Sequence, residues 1–285
     1  MNAAPCLPLC AMLLLSADAP PEQVDLFDLM RKGDVTVDVK GLGGHEGDCV
    51  SLSLTNRTGA PVLVEVKPGS LMVSEDSSLQ NLMIVRHEQV LLAAHGKGSV
   101  TCKAFCVESS DGSPGIDDRF TAAGMAAMPL VRLAEHVNAQ RYTDAAIQQA
   151  VWVLSNGHSV AEVAGGDGSS ALPLRKFVAD LTGVRLPWYT TTTERPSATR
   201  QVYSPDPARV NGEVDFALNT HALVTIAIRD AQQRTVRVMG NDRNLGPGRY
   251  SIEIDLIVRG WPSGTYTVDF IQDGSNLLKR LQFTI

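Results

Sequence analysis

Among the side chains able to do chemistry, the five cysteines and six histidines of this 285-residue chain come first. Cys6 and Cys10 fall in an apolar N-terminal stretch, which leaves Cys49, Cys102 and Cys106 in the body of the protein. A Cys-x3-Cys pair with one distant third cysteine lacks the four ligands of a structural zinc site, so no metal and no other cofactor is expected. In an oxidising compartment two of the three thiols pair. Cys49 with Cys106 is the candidate disulfide, the pairing among the three stays open, and one thiol is left over. His87 and His95 sit on or beside turns, and no serine or cysteine stands with a histidine and an acid in a hydrolase motif. Solvated or capping roles suit these histidines better. No catalytic residue is assigned, a non-enzyme is expected, and a hydrolase with a site the sequence does not spell out is one alternative.

A second pair of residues stands out through its neighbours. Phe105-Cys106-Val107 is followed by Ile147-Gln148-Gln149-Ala150-Val151-Trp152. Together these phrases are similar to the paired signatures of bacterial surface thioester domains. The resemblance implies that Cys106 lies on a strand and Gln148 on a later helix. It further implies that thiol and carboxamide condense with loss of ammonia, giving an electrophile that acylates an amine and so anchors the protein covalently. The sequence departs from that family in three respects: Ile147 stands where Thr is usual, the two residues are only 42 apart, and the known members are Gram-positive adhesins anchored differently. On the plain alternative, Cys106 enters the disulfide, Gln148 and Gln149 are ordinary helix surface, and Trp152 is a core anchor.

The elements that must position these residues follow from periodicity. From residue 34 to 110 short strands alternate apolar and polar residues, as in Val35, Val37 and Val39, with turns at Gly41 to Gly47, Asn56 to Gly59 and Lys67 to Gly69. That spacing predicts a β-sandwich. Asn56-Arg57-Thr58 matches a glycosylation acceptor and is read as a turn. Residues 118–185 change to helical period. Pro129 opens one helix, Thr143 or Asp144 caps another that Asn156-Gly157 ends, Ser159 to Glu162 spells a capping box, and Gly183 stops a last helix. Their single apolar stripes predict a small unit packed together or on the sandwich. Residues 186–210, with Thr190 to Thr193 and Ser204-Pro-Asp-Pro, read as a linker.

Residues 211–285 again show strand period, in Val214, Phe216 and Leu218, in Val224, Ile226 and Ile228, and in Tyr266, Val268 and Phe270. The phrases Phe216-Ala-Leu, Val224-Thr-Ile-Ala-Ile-Arg-Asp, Pro262-Ser-Gly-Thr-Tyr, Asp273-Gly274 and Lys279-Arg280 give this stretch its resemblance, over residues 214–285, to the C-terminal sorting domain of type IX secretion cargo proteins of Bacteroidetes. Such a domain implies an Ig-like β-sandwich, passage through the periplasm, and the outer-membrane secretion machinery as partner. A generic Ig-like module shares the same rhythm.

The expected architecture is therefore mainly β with a small helical unit: an N-terminal β-sandwich, a short helix bundle and a C-terminal Ig-like β-sandwich. Residues 1–19 have the apolar run and small residues, Ala17 and Ala19, of a signal peptide, although no Lys or Arg precedes Arg31. No later stretch reaches the roughly 20 apolar residues of a transmembrane helix. A net charge of −6 and a pI near 5.5 argue against nucleic acid as a partner. An exported, cell-surface or secreted binding or adhesion protein with an unknown surface ligand is the functional expectation.

Overall fold

The computed structural model describes residues 21–165, 171–196 and 200–285; the expected signal peptide lies outside them. Over these residues the chain is mainly β, with four α-helices and several sheets. It begins with β1 (Gln23–Asp25) and α1 (Leu26–Lys32). Asp25 caps α1, accepting from Phe27 N–H at 2.8 Å, and Gly33 ends it in the left-handed region at φ 78°.

Seven strands follow: β2 (Val35–Leu42), β3 (Glu46–Asn56), β4 (Val62–Val66), β5 (Ser70–Ser74), β6 (Leu82–Ile84), β7 (Glu88–Leu92) and β8 (Lys97–Cys106). An eighth, β9 (Ile116–Met125), changes the architecture. It pairs with β2 on one side and β5 on the other, so the order β2-β3-β8-β6-β5-β9 closes into a barrel where the periodicity predicts a sandwich. Closure removes both edges of that sheet. The remaining strands form a small sheet, β1-β4-β7, whose Val64, Val66 and Leu92 pack with α1 against the barrel core. Asn56 is 1 % exposed, and its amide donates to the carbonyls of Ala60 and Ala93, which closes the turn and takes its nitrogen out of reach of modification.

The helices run α2 (Met128–Ala139), α3 (Asp144–Asn156), a 3-10 turn (Val160–Glu162) and α4 (Leu172–Thr182). Their termini fall where the sequence signals stand. Thr143 Oγ1 accepts from Ala146 N–H, Gly157 and Gly183 adopt φ 73° and 69°, and Ser159 with Glu162 completes the capping box. Leu133, Val137, Ile147, Val151, Leu174 and Val178 interlock into one core, and this core also takes in Phe105 and Val107 of the β8 region. The helices thus sit on the outer face of the strand that carries Cys106.

Seven strands complete the chain: β10 (Tyr189–Thr193), β11 (Pro207–Leu218), β12 (Ala222–Arg229), β13 (Thr235–Leu245), β14 (Gly248–Ile257), β15 (Thr265–Gln272) and β16 (Asn276–Thr284). They form a three-stranded sheet, β10-β11-β14, and a four-stranded one, β13-β12-β15-β16. Val210, Val214, Phe216 and Leu256 of the first share a core with Ile226, Ile228, Val268, Phe270 and Phe283 of the second. In the second sheet Asp269, 1 % exposed, receives Arg280 in a two-point fork at 2.7 Å, with Arg229 Nε at 3.2 Å.

Part of the stretch expected as a linker is structural. β10 pairs with β11 from Tyr189 opposite Gly212 onward, and Trp188 Nε1–H donates to the carbonyl of Gln282 at 2.6 Å. Gly212 must lack a side chain here, since a Cβ would come within 2.8 Å of the Trp188 ring. Ala161 of the 3-10 turn is fully buried in the C-terminal core, so the helical unit and the C-terminal sheets meet directly.

Candidate functional site

The pleat of β8 decides what each of its residues can reach. Cys102, Ala104 and Cys106 face the barrel core, while Phe105 turns to the helices on the other face. Cys49, Cys102 and Cys106 are all buried free thiols, so the candidate Cys49–Cys106 disulfide is not formed in this structure. They are neighbours in one apolar core, and Cys49 Sγ–H donates to the carbonyl of Ala104 at 3.3 Å. Burial pushes the Cys49 and Cys102 thiols up to about 12 and the Cys106 thiol further still.

Gln148 does not lie on the helix surface. It is 1 % exposed, and its carboxamide binds the main chain of Cys106 in both directions. Cys106 N–H donates to Gln148 Oε1 at 3.2 Å, and Gln148 Nε2–H donates to the Cys106 carbonyl at 2.8 Å. The Cys106 N–H also reaches the carbonyl of His45 at 2.9 Å, just before β3 begins. Past that point the Gln148 amide takes the place of a partner strand and gives the buried Cys106 carbonyl its donor. Residues 42 apart in sequence are thereby brought into contact.

Surroundings fix this contact. At the first turn of α3, Lys103 Nζ lies 2.7 Å from Asp144 Oδ1, tying helix to strand. One turn beyond Gln148, Trp152 is 1 % exposed and stacks on His45 with ring centroids 6.2 Å apart. Burial lowers the His45 pKa, favouring the neutral imidazole. Burial, with Asp144 adding to it, raises the carboxyl of Glu46. Beyond Trp152 lie His158 and Tyr203, at 5.8 and 5.6 Å between centroids.

No protein-family model and no curated protein matches this chain. Among the described residues, no group of three or more His, Cys, Asp or Glu is arranged to hold a metal ion, and no helix is long and apolar enough to cross a membrane. His87 and His95 stand apart from this region: His87 Nε2 lies 2.8 Å from Glu65 Oε1, and His95 occupies a turn at φ 54°. Sequence reasoning missed the polar cluster around Trp152, because its members come from three separated segments and only their fold brings them together.

Proposed function

We propose that the front half of this protein is a covalent anchor and that its C-terminal half is the address that exports it. In this reading Cys106 Sγ attacks the Cδ carbon of Gln148, the C–S bond forms, the C–N bond breaks, and ammonia leaves with the thiol proton. The resulting thioester is opened by a primary amine of a surface ligand, which leaves an amide to that ligand and restores the Cys106 thiol. The observation that supports it is the hydrogen bonding of the buried Gln148 carboxamide to the Cys106 main chain, which joins the two residues that the thioester resemblance singles out. The high pKa of the buried thiol means that its proton must leave as the bond forms. The two-sheet C-terminal unit serves as an Ig-like sorting domain for outer-membrane secretion.

One observation favours a second reading, a binding module without a covalent step. The pleat turns Cys106 towards the barrel core, and Gln148 already has all its polar atoms satisfied as a strand-end partner. Intact mass of the natively produced protein separates the two. A thioester makes the chain lighter by one ammonia, a deficit that methylamine converts to a Gln148 adduct and that Cys106→Ala abolishes. A full mass with no methylamine uptake leaves the non-covalent module.

A further inference from the structure

Three residues past Cys106, the loop after β8 meets the helical unit through side chains that the anchor chemistry does not use. Ser109 is 8 % exposed, and its Oγ lies 2.9 Å from His158 Nε2. His158 Nδ1 faces Glu162 Oε2 at 3.5 Å, with side-chain exposures of 9 % and 12 %. The two oxygens of Glu162 are divided between roles. Oε1 accepts from Ser159 N–H to complete the capping box, while Oε2 faces His158 and accepts from Tyr203 O–H at 3.2 Å. Capping alone requires neither the imidazole nor the serine, and drawing hydroxyl, imidazole and carboxylate in beside Trp152 and Tyr203 costs solvation.

We propose that Ser109 is a nucleophile of an acyl-transfer site, with His158 as its general base and Glu162 as the group that orients His158. A carboxylate beside Nδ1 favours the tautomer protonated there, and Nε2 is then free to accept the serine proton. The Nδ1 contact is outside hydrogen-bond alignment in this structure, as is common for catalytic pairs before substrate binds. Ser109 Oγ attacks an ester carbonyl and passes its proton to His158 Nε2. His158 returns the proton to the departing alkoxide, and water hydrolyses the acyl-serine. Trp152 contributes a second, independent sign of a reacting site: its buried Nε1–H has no acceptor among the described residues, and a developing oxyanion is the kind of group that takes such a donor.

Ser109 itself is only 8 % exposed, so an ester that reaches its Oγ has to be small.

The full chain treated with a small fluorophosphonate, in which Ser109 displaces fluoride from phosphorus, tests this by peptide mass spectrometry. Ser109 carries the adduct in the wild type and in Cys106→Ala, which keeps the test independent of the thioester. The adduct disappears in Ser109→Ala, and its rate of formation falls about 100-fold or more in His158→Asn. An unmodified Ser109 in a chain that melts cooperatively overturns the proposal. So does modification that proceeds equally fast in His158→Asn.

Discussion

Replacing Gln148 by Glu in a Cys106→Ala chain isolates the contact at the centre of the site, because no condensation can occur in that background. Below pH 4 the neutral carboxyl introduced at position 148 reproduces the amide: its O–H donates to the residue-106 carbonyl and its C=O accepts the N–H, as Gln148 does at 2.8 and 3.2 Å. Ionisation removes the donor and sets a buried negative charge against a carbonyl. The surroundings offer little relief, since Lys103 is committed to Asp144 at 2.7 Å and Glu46 is already raised by burial and by Asp144. Fully buried carboxyls rise by about 3–5 pH units, which corresponds to roughly 4–7 kcal/mol. A raised folded pKa means that the folded state binds the extra proton, so this stability is present in acid and is lost as pH climbs from about 4 towards 8. Urea midpoints of Cys106→Ala and Cys106→Ala/Gln148→Glu should therefore coincide near pH 4 and diverge steadily above it. By pH 7 the loss reaches about 3–4 kcal/mol, a large share of a total stability of about 5–15 kcal/mol. A difference that stays constant from pH 4 to 8 would refute the burial of Gln148 against the Cys106 main chain.

Two further outcomes follow from charges and thiols. Asp269→Ala leaves Arg229 and Arg280 without their carboxylate; both guanidiniums can withdraw partly to water, so the cost should sit near the low end for a broken buried pair, about 3 kcal/mol, read as a lower urea midpoint. With pKa values near 12, Cys49 and Cys102 hold only about one thiolate in ten thousand at pH 8, so Ellman's reagent should not label them until the chain unfolds. Labelling of the native protein within minutes would contradict their burial.

The parts of the fold that could be read from sequence are those whose causes are local. Thr143, Gly157 and Gly183 mark helix ends by their own side-chain chemistry or backbone freedom, and alternation in Val224 to Ile228 and Tyr266 to Phe270 gives strands without reference to any partner. The barrel was not legible, because β9 buries only Phe120 and contains Asp117 at φ 65° beside two further charged residues. A strand so polar is held by pairing with β2 and β5 rather than by its own pattern. Cys106 and Gln148 could be singled out only by their neighbouring phrases; their contact depends on how α3 docks on β8. Ser109, His158 and Glu162 left no joint trace, since Glu162 reads completely as a capping residue and the serine comes from a loop 49 positions before its histidine.

The docking of β10 sets where a cut can be tolerated. Severing the chain after residue 210 would strip β10 and the first residues of β11 from the C-terminal sheets and leave the rest of β11 as an open edge, a template for self-association. Trp188 and Tyr189 hold on to Gln282 and Thr284 from the opposite end of the sequence. A transplantable C-terminal unit therefore starts just ahead of Trp188, and fusions that begin there should stay monodisperse where shorter ones clump.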